Sequence, residues 1–404
     1  MRALLPFACL AALATCAGPS QAGLSRAEVA RQVAALAALG RALFFDPALS
    51  ASRAQACASC HDPAHQFGPP GPSAVVLGGK HLRQPGLRAV PSLKYLQATP
   101  QFSEHYYDSD EEGDASVDNG PTGGLTWDGR VDRGREQARL PLMSPFEMAN
   151  DGADEIVATV RKAPYAVALR KLYGAAVFSD RDKAFEMVLE ALEAFEQSYR
   201  DFYPYSSKYD AYLGGATTLT PTEMHGLALF NDPAKGNCAH CHTSARGRDG
   251  TPPQFTDYGF AALGVPRNPA IAANRDPLYF DLGLCGPQRT DLADHPEYCG
   301  MFKTPSLRNV ATRQVFFHNG AFHQLRDAVA FYAQRDSNPE KFYPRDIAGR
   351  VQKFDDLPER YWTNINVEPP FDRHQDDPAA LSEPEIEDIA AFLQTLTDGY
   401  RSVK

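Results

Sequence analysis

The interior of this 404-residue chain holds no apolar run long enough to cross a membrane; its longest apolar stretch lies at the extreme N-terminus. Basic charge is also in short supply. There are 40 Lys and Arg against 50 Asp and Glu, a formal charge of −10, and no cluster of cations, which argues against a nucleic-acid partner because phosphate neutralisation requires one. With 43% hydrophobic and 22% charged residues the chain is ordinarily globular, so disorder is excluded, and its length suits two or three domains. Cysteine is scarce, eight in all, and that makes its placement informative.

Residues 1–22 read as an export signal: Arg2 supplies the charge, Leu4 to Ala14 the apolar core, and Ser20-Gln21-Ala22 a small-residue cleavage site before Gly23. Leu13-Ala14-Thr15-Cys16 offers a lipoprotein alternative, but Thr before the Cys matches that signal poorly. A periplasmic, oxidising destination is expected on either reading. Setting aside Cys9 and Cys16 leaves six cysteines, four of them in two C-x-x-C-H strings, Cys57-Ala58-Ser59-Cys60-His61 and Cys238-Ala239-His240-Cys241-His242. Cys285 and Cys299 remain. In an exported protein they most simply pair, closing a short loop for about 3 kcal/mol; two unrelated free thiols are the alternative.

A c-type haem needs one thiol for each vinyl group and an imidazole that reaches the iron, and this pentapeptide presents all three from one turn of chain. Zinc knuckles and thioredoxin-type pairs use the same cysteine spacing, but neither requires a His directly after both pairs. Two haems are therefore expected, held by Cys57, Cys60 and His61 and by Cys238, Cys241 and His242. A repeat agrees with this: Gly40-Arg41-Ala42-Leu43-Phe44-Phe45-Asp46-Pro47 precedes the first string and Gly226-Leu227-Ala228-Leu229-Phe230-Asn231-Asp232-Pro233 the second.

Helix signals frame both copies. Ser25 with Glu28 forms a capping box, and Thr220, Pro221 and Glu223 mark a second start. Phe185, Val188, Leu189, Leu192 and Phe195 recur at helical spacing, as do Ile386, Ile389, Leu393 and Leu396 after Ser382. Gly214 to Thr218 reads as a linker. The expected architecture is mainly α, two tandem cytochrome c-like haem domains over 23–213 and 214–404, with long loops from 32 Pro and 30 Gly. The segment from Asp108 begins like a calcium loop, but its twelfth position is Asn119 instead of Glu, so it reads as a solvated acidic loop.

Taken together, the chain resembles the bacterial di-haem cytochrome c peroxidase superfamily, which includes MauG-type enzymes that oxidise residues of a partner protein. Besides the haem strings, the resemblance rests on Trp127-Asp128-Gly129-Arg130, Gln137, Pro141, Pro145-Phe146-Glu147-Met148, Pro305 to Val310 and Phe317-His318-Asn319-Gly320. It implies that the haem on His61 meets hydrogen peroxide while the haem on His242 is six-coordinate and handles electrons. It also implies that Trp127 lies between the haems, that Gln137 and Glu147 line the peroxide pocket, and that Pro141 restricts the open face. On their own these would read as a packed aromatic, a surface amide and a capping carboxylate. Glu147 has the right chemistry for moving a proton between peroxide oxygens.

Where electron-accepting peroxidases place a Met ligand for the second iron, this chain has Tyr332. An anionic oxygen donor favours oxidised iron, which points to the MauG-like branch and to a periplasmic protein as the substrate or redox partner. The rival reading is a peroxidase that draws electrons from a small cytochrome or cupredoxin. From another class comes a non-enzymatic di-haem electron-transfer cytochrome. The family's calcium site between the haems would use the carbonyls of Arg313 and Val315, but its side-chain ligand is Ala89 here, which argues against calcium. His81 matches a distal His that blocks the first haem in some peroxidases, with a solvated loop His as the alternative. The Trp that MauG has two residues before its second haem string is Gly236.

Overall fold

The computed structural model describes residues 25–107 and 117–401. The export segment, with Cys16, and most of the acidic loop from Asp108 lie outside the described residues. The chain is mainly helical. Its helices are α1 (Arg26–Phe44), α2 (Cys57–Cys60), α3 (Gly134–Met143), α4 (Ala153–Lys162), α5 (Ala166–Tyr173), α6 (Arg181–Glu196), α7 (Tyr199–Phe202), α8 (Lys208–Leu213), α9 (Pro221–Asn231), α10 (Leu325–Gln334) and α11 (Glu383–Gln394). Two short antiparallel ribbons accompany them, β1 (Leu77–Gly78) with β2 (Gln84–Pro85) and β3 (Phe260–Ala261) with β4 (Phe302–Lys303).

The helix starts follow the capping chemistry. Ser25 and Glu28, Thr220 and Glu223, and Ser382 and Glu385 each form the reciprocal box that satisfies two otherwise unpaired N–H groups. The apolar stripe of α6, Phe185, Val188, Leu189, Leu192 and Phe195, is buried. Cys285 and Cys299 form the expected disulfide.

Apolar burial is concentrated in two places. One cluster joins α1, α3, α4, α5 and α6 around Leu43, Phe44 and Phe195; another joins α9, α10 and α11 around Phe230, Ala330 and Phe392. Tyr209 of α8 packs in the second cluster and its N–H donates to Thr395 O at 3.0 Å, although it precedes the linker at Gly214.

The two clusters repeat the same contacts. At the α1–α6 crossing a Cβ on Gly40 would stand 1.7 Å from Ala191 O; at the α9–α11 crossing one on Gly226 would stand 1.9 Å from Asp388 O. Only glycine lets the two helix backbones approach so closely. Four residues beyond each carbonyl a phenylalanine meets the repeat's own aromatic: Phe44 and Phe195 lie 5.3 Å apart, Phe230 and Phe392 5.2 Å.

The duplication extends further than the Gly-to-Pro strings. Pro91-Ser92-Leu93 and Pro305-Ser306-Leu307 each close a turn through the serine hydroxyl, which accepts from Lys94 N at 3.1 Å and from Arg308 N at 3.2 Å. Both turns then enter a left-handed residue, Tyr95 at φ 62° and Asn309 at φ 62°, that begins a short 3-10 turn.

Candidate functional site

Each C-x-x-C-H string is wound into a single turn that closes on itself. His61 N donates to Cys57 O at 2.9 Å and His242 N to Cys238 O at 2.8 Å. All four thiols are unpaired, and burial raises them, Cys60, Cys238 and Cys241 to about 12, so they are neutral S–H groups rather than redox-active thiolates. Each imidazole uses Nδ1 toward a backbone carbonyl, His61 to Phe67 O at 3.3 Å and His242 to Phe255 O at 2.8 Å, which leaves Nε2 for a metal. Burial lowers both imidazoles, His61 to about 4, so they are the neutral ligands that iron requires. A neutral thiol pair and an oriented neutral imidazole in each half are the donor set of a covalently attached haem.

Of the residues expected in front of the first string, Glu147 is the one the structure brings near its cysteines. Helix α3 carries Gln137 and Pro141 one turn apart, and its end leads through Ser144 to Glu147. The Glu147 charge lies within electrostatic reach of Cys57 and Cys60. Its side chain keeps some access to solvent but is flanked closely by protein, and that desolvation raises its pKa, with Ser144 and Arg130 partly offsetting the shift. Gln137 lines both the cavity that Trp127 and His242 share and a second cleft against α6.

The glycines near His81 serve close packing. Gly79 N donates to Glu147 O at 2.7 Å, and a Cβ on Gly78 would stand 2.1 Å from Phe146 O, so the base of the β1–β2 hairpin is docked on the Glu147 segment. The base of this hairpin is therefore fixed by packing. His81 is exposed on its turn.

In the second half, Tyr332 and His242 line the same cavity, and Tyr332 lies within electrostatic reach of Cys238 and Cys241. Burial keeps the phenol protonated unless a cation meets its oxygen. Helices α3 and α10 both have ten residues, and the eighth is Pro141 in one and Tyr332 in the other. Proline thus stands in the first half at the helix position that carries a phenol in the second.

Trp127 is buried at the cavity wall between the two clusters. Its Nε1–H donates to Ala89 O at 2.8 Å and its carbonyl accepts from Lys303 N at 2.9 Å. The adjacent Asp128 is fully buried and receives Arg88 at 2.6 Å, Arg130 at 2.8 Å and the Thr126 hydroxyl at 2.6 Å; Arg88 also grips Asp281 through Nε at 2.6 Å and Nη2 at 2.7 Å. Arg88 lies over Phe302, whose other face stacks on His318 at 3.5 Å between ring centres.

Sequence reasoning missed this network. Its one signal was Asp128 beside Trp127. Arg313 was also missed as a side chain. It lines the cavity, and its Nε–H donates to Val315 O at 3.2 Å while Nη2–H donates to Val90 O at 3.0 Å. Burial lowers this guanidinium to about 10, and no carboxylate offsets it. The Tyr258 hydroxyl, also at the cavity, is buried without a partner among the described residues. A cation and a hydroxyl donor left unpaired in one cavity suit the propionates of a porphyrin.

Comparison with known proteins agrees with this geometry. The family profile described as di-haem cytochrome c peroxidase matches residues 34–218. The methylamine utilization protein MauG of Paracoccus denitrificans is 33% identical over 402 residues, 98% of this chain and 96% of that one. The cytochrome c551 peroxidase of Pseudomonas aeruginosa is 27% identical over 72% of this chain and 70% of its own. Among solved structures, the diheme peroxidase BthA from Burkholderia thailandensis superposes with a TM-score of 0.79 at 41% identity, covering 90% of this chain and 86% of that chain. With two haem-attachment strings and full-length similarity to MauG, this chain belongs to the di-haem cytochrome c peroxidase family and is a peroxidase-type oxidoreductase.

Proposed function

We propose that this is a periplasmic enzyme of the MauG-like branch that reduces hydrogen peroxide and spends the oxidising equivalents on a side chain of a partner protein. The observation that carries this reading is Tyr332, on the cavity wall with His242 at the position expected for a sixth ligand. Two haem modules, divided near Gly214 with α8 packed on the second, would carry one haem each.

Cys57, Cys60 and His61 would hold the first haem, and Cys238, Cys241, His242 and Tyr332 the second. When bound, the haems supply the two electrons that convert hydrogen peroxide to water. The protein's part begins at Glu147, whose carboxylate takes a proton from one peroxide oxygen and returns it to the leaving oxygen. Gln137 orients the oxygens by hydrogen bonding, and Pro141 restricts the open face without offering a ligand atom. Tyr332 contributes an anionic oxygen that disfavours reduced iron, so the second site is a poor store for an electron from a small donor. Trp127, held by Ala89 and Lys303, lies between the halves as an electron relay. His81 is assigned no ligand role, because it is exposed on a hairpin held at its base. Calcium is not required: the Arg313 guanidinium already binds the Val315 carbonyl and brings the positive charge.

Rapid mixing of the holoenzyme with peroxide, with and without a reduced small cytochrome, tests this. A long-lived oxidised spectrum and slow turnover on the cytochrome are expected. Fast multiple turnover would overturn the reading in favour of a cytochrome c peroxidase, and no spectral response to peroxide would leave an electron-transfer cytochrome.

A further inference from the structure

The chain has two tryptophans. Trp127 is buried between the halves, whereas Trp362, in the 3-10 turn Glu359–Asn364, is 41% exposed. Its surroundings connect it to the cavity in two ways. The indole Nε1–H donates to Leu357 O at 3.0 Å, and Leu357 lines the cavity shared by His242 and Tyr332. The indole also packs edge-on against Phe354 at 5.9 Å, and Phe354 is pressed on Gly264, another residue of the same wall, so closely that a Cβ there would stand 2.4 Å from its ring. From the other side, Tyr332 packs on Phe371 at 5.5 Å, and the Arg335 guanidinium lies 3.9 Å from the centre of Phe371 and 5.4 Å from that of Phe354. A tightly packed path of side chains thus runs from Tyr332 to one surface indole.

Position 236 offers no such exit. A Cβ there would stand 2.7 Å from Leu229 O and 3.2 Å from Cys238 Sγ, so the close packing favours glycine.

We propose that Trp362 is the surface relay through which oxidising equivalents leave the second half toward an indole or phenol side chain of a partner protein; this rests on the peroxide reading above. Electrons balance as follows. Hydrogen peroxide with two protons and two electrons gives two waters, and each electron is replaced in turn by one from the Trp362 indole, which is then refilled from the partner's ring. Because Nε1–H is hydrogen-bonded to a carbonyl, which is too weak a base to keep the proton, the oxidised indole stays a cation and is restored by one electron alone. Phe354 and Phe371 are much harder to oxidise than indole, and Arg335 beside them opposes a positive charge there, so they act as packed medium.

The test uses the holoenzyme, hydrogen peroxide and no partner, with Trp362→Phe and Trp362→Tyr as variants. Matching resting haem spectra establish that the variants are folded. In the wild type, peptide mapping after peroxide treatment should find oxygen added at residue 362, and a tryptophan radical should be seen by EPR. In Trp362→Phe both should vanish and the peroxide-generated haem spectrum should decay several-fold more slowly, with Tyr restoring part of the rate. Oxidation mapping elsewhere, with decay unchanged in Trp362→Phe, would overturn the assignment while the peroxide reading stands. A wild-type haem spectrum unmoved by peroxide would overturn both.

Discussion

The two halves of this molecule are built alike and finished differently. Each crosses two helices at a glycine, sets a phenylalanine pair over that crossing, closes a C-x-x-C-H string into one turn and fixes the imidazole on a phenylalanine carbonyl. They diverge in the side chains that one helix of each half carries. In the first half the eighth residue of α3 is Pro141, with Gln137 and the segment to Glu147 around it; in the second the eighth residue of α10 is Tyr332, among Phe317, Phe331 and Phe371. One scaffold thus carries a proline-and-amide surface in one half and an aromatic, phenol-bearing one in the other through a few side chains on one helix, which is how fold and function separate.

The largest effect should come from removing what makes the first half reactive. Glu147→Gln should slow the peroxide reaction by about 10²- to 10⁴-fold, the usual worth of a positioned proton carrier, while the second half's spectrum is unchanged. The pH profile sharpens this. Burial raises the Glu147 pKa, so the uncharged acid persists above 4.5 and cannot accept the peroxide proton; the wild-type rate should rise with pH through that raised value, and the rise should be absent in the Gln variant. Stopped-flow absorbance across pH measures both.

Next in size is exchanging the residues that distinguish the halves. Tyr332→Phe should abolish the low-spin EPR signal of the second haem, and an unchanged signal would remove Tyr332 from its coordination sphere. Pro141→Tyr, at the matching helix position, should place an oxygen donor in the first half and suppress its reaction with peroxide. Smaller effects should follow where the halves agree. Gly40→Ala and Gly226→Ala force a methyl onto a helix carbonyl in each crossing, and each should destabilise the fold by about 1–3 kcal/mol, read as a lower denaturation midpoint. The smallest effect belongs to metal removal: incubation with EDTA should leave both haem spectra and the peroxide rate unchanged, because Arg313 is the resident cation at the Val315 carbonyl.

Local chemistry made much of this legible. A capping box, an apolar stripe of period 3.6 and a five-residue attachment string act within one or two turns of chain, so Ser25, Phe185 and Cys57 could be placed by inspection. What could not be read locally are pairings between distant segments: Asp128 with Arg88 and Asp281, the Gly79–Glu147 bond, and the Leu357 carbonyl under Trp362. An arginine or a surface-type tryptophan carries no sign of its partner in its own stretch of sequence.

By itself, then, the sequence determined that two imidazoles and four thiols would be presented from tight turns on paired helices, because those arrangements depend on residues a few positions apart. Only the tertiary structure decided which carboxylates Arg88 grips, which buried cation ties the Val90 and Val315 carbonyls and which indole reaches the surface. Those outcomes depend on burial and on contacts between chain segments tens to hundreds of positions apart, and desolvation in the folded interior sets the charge each group carries.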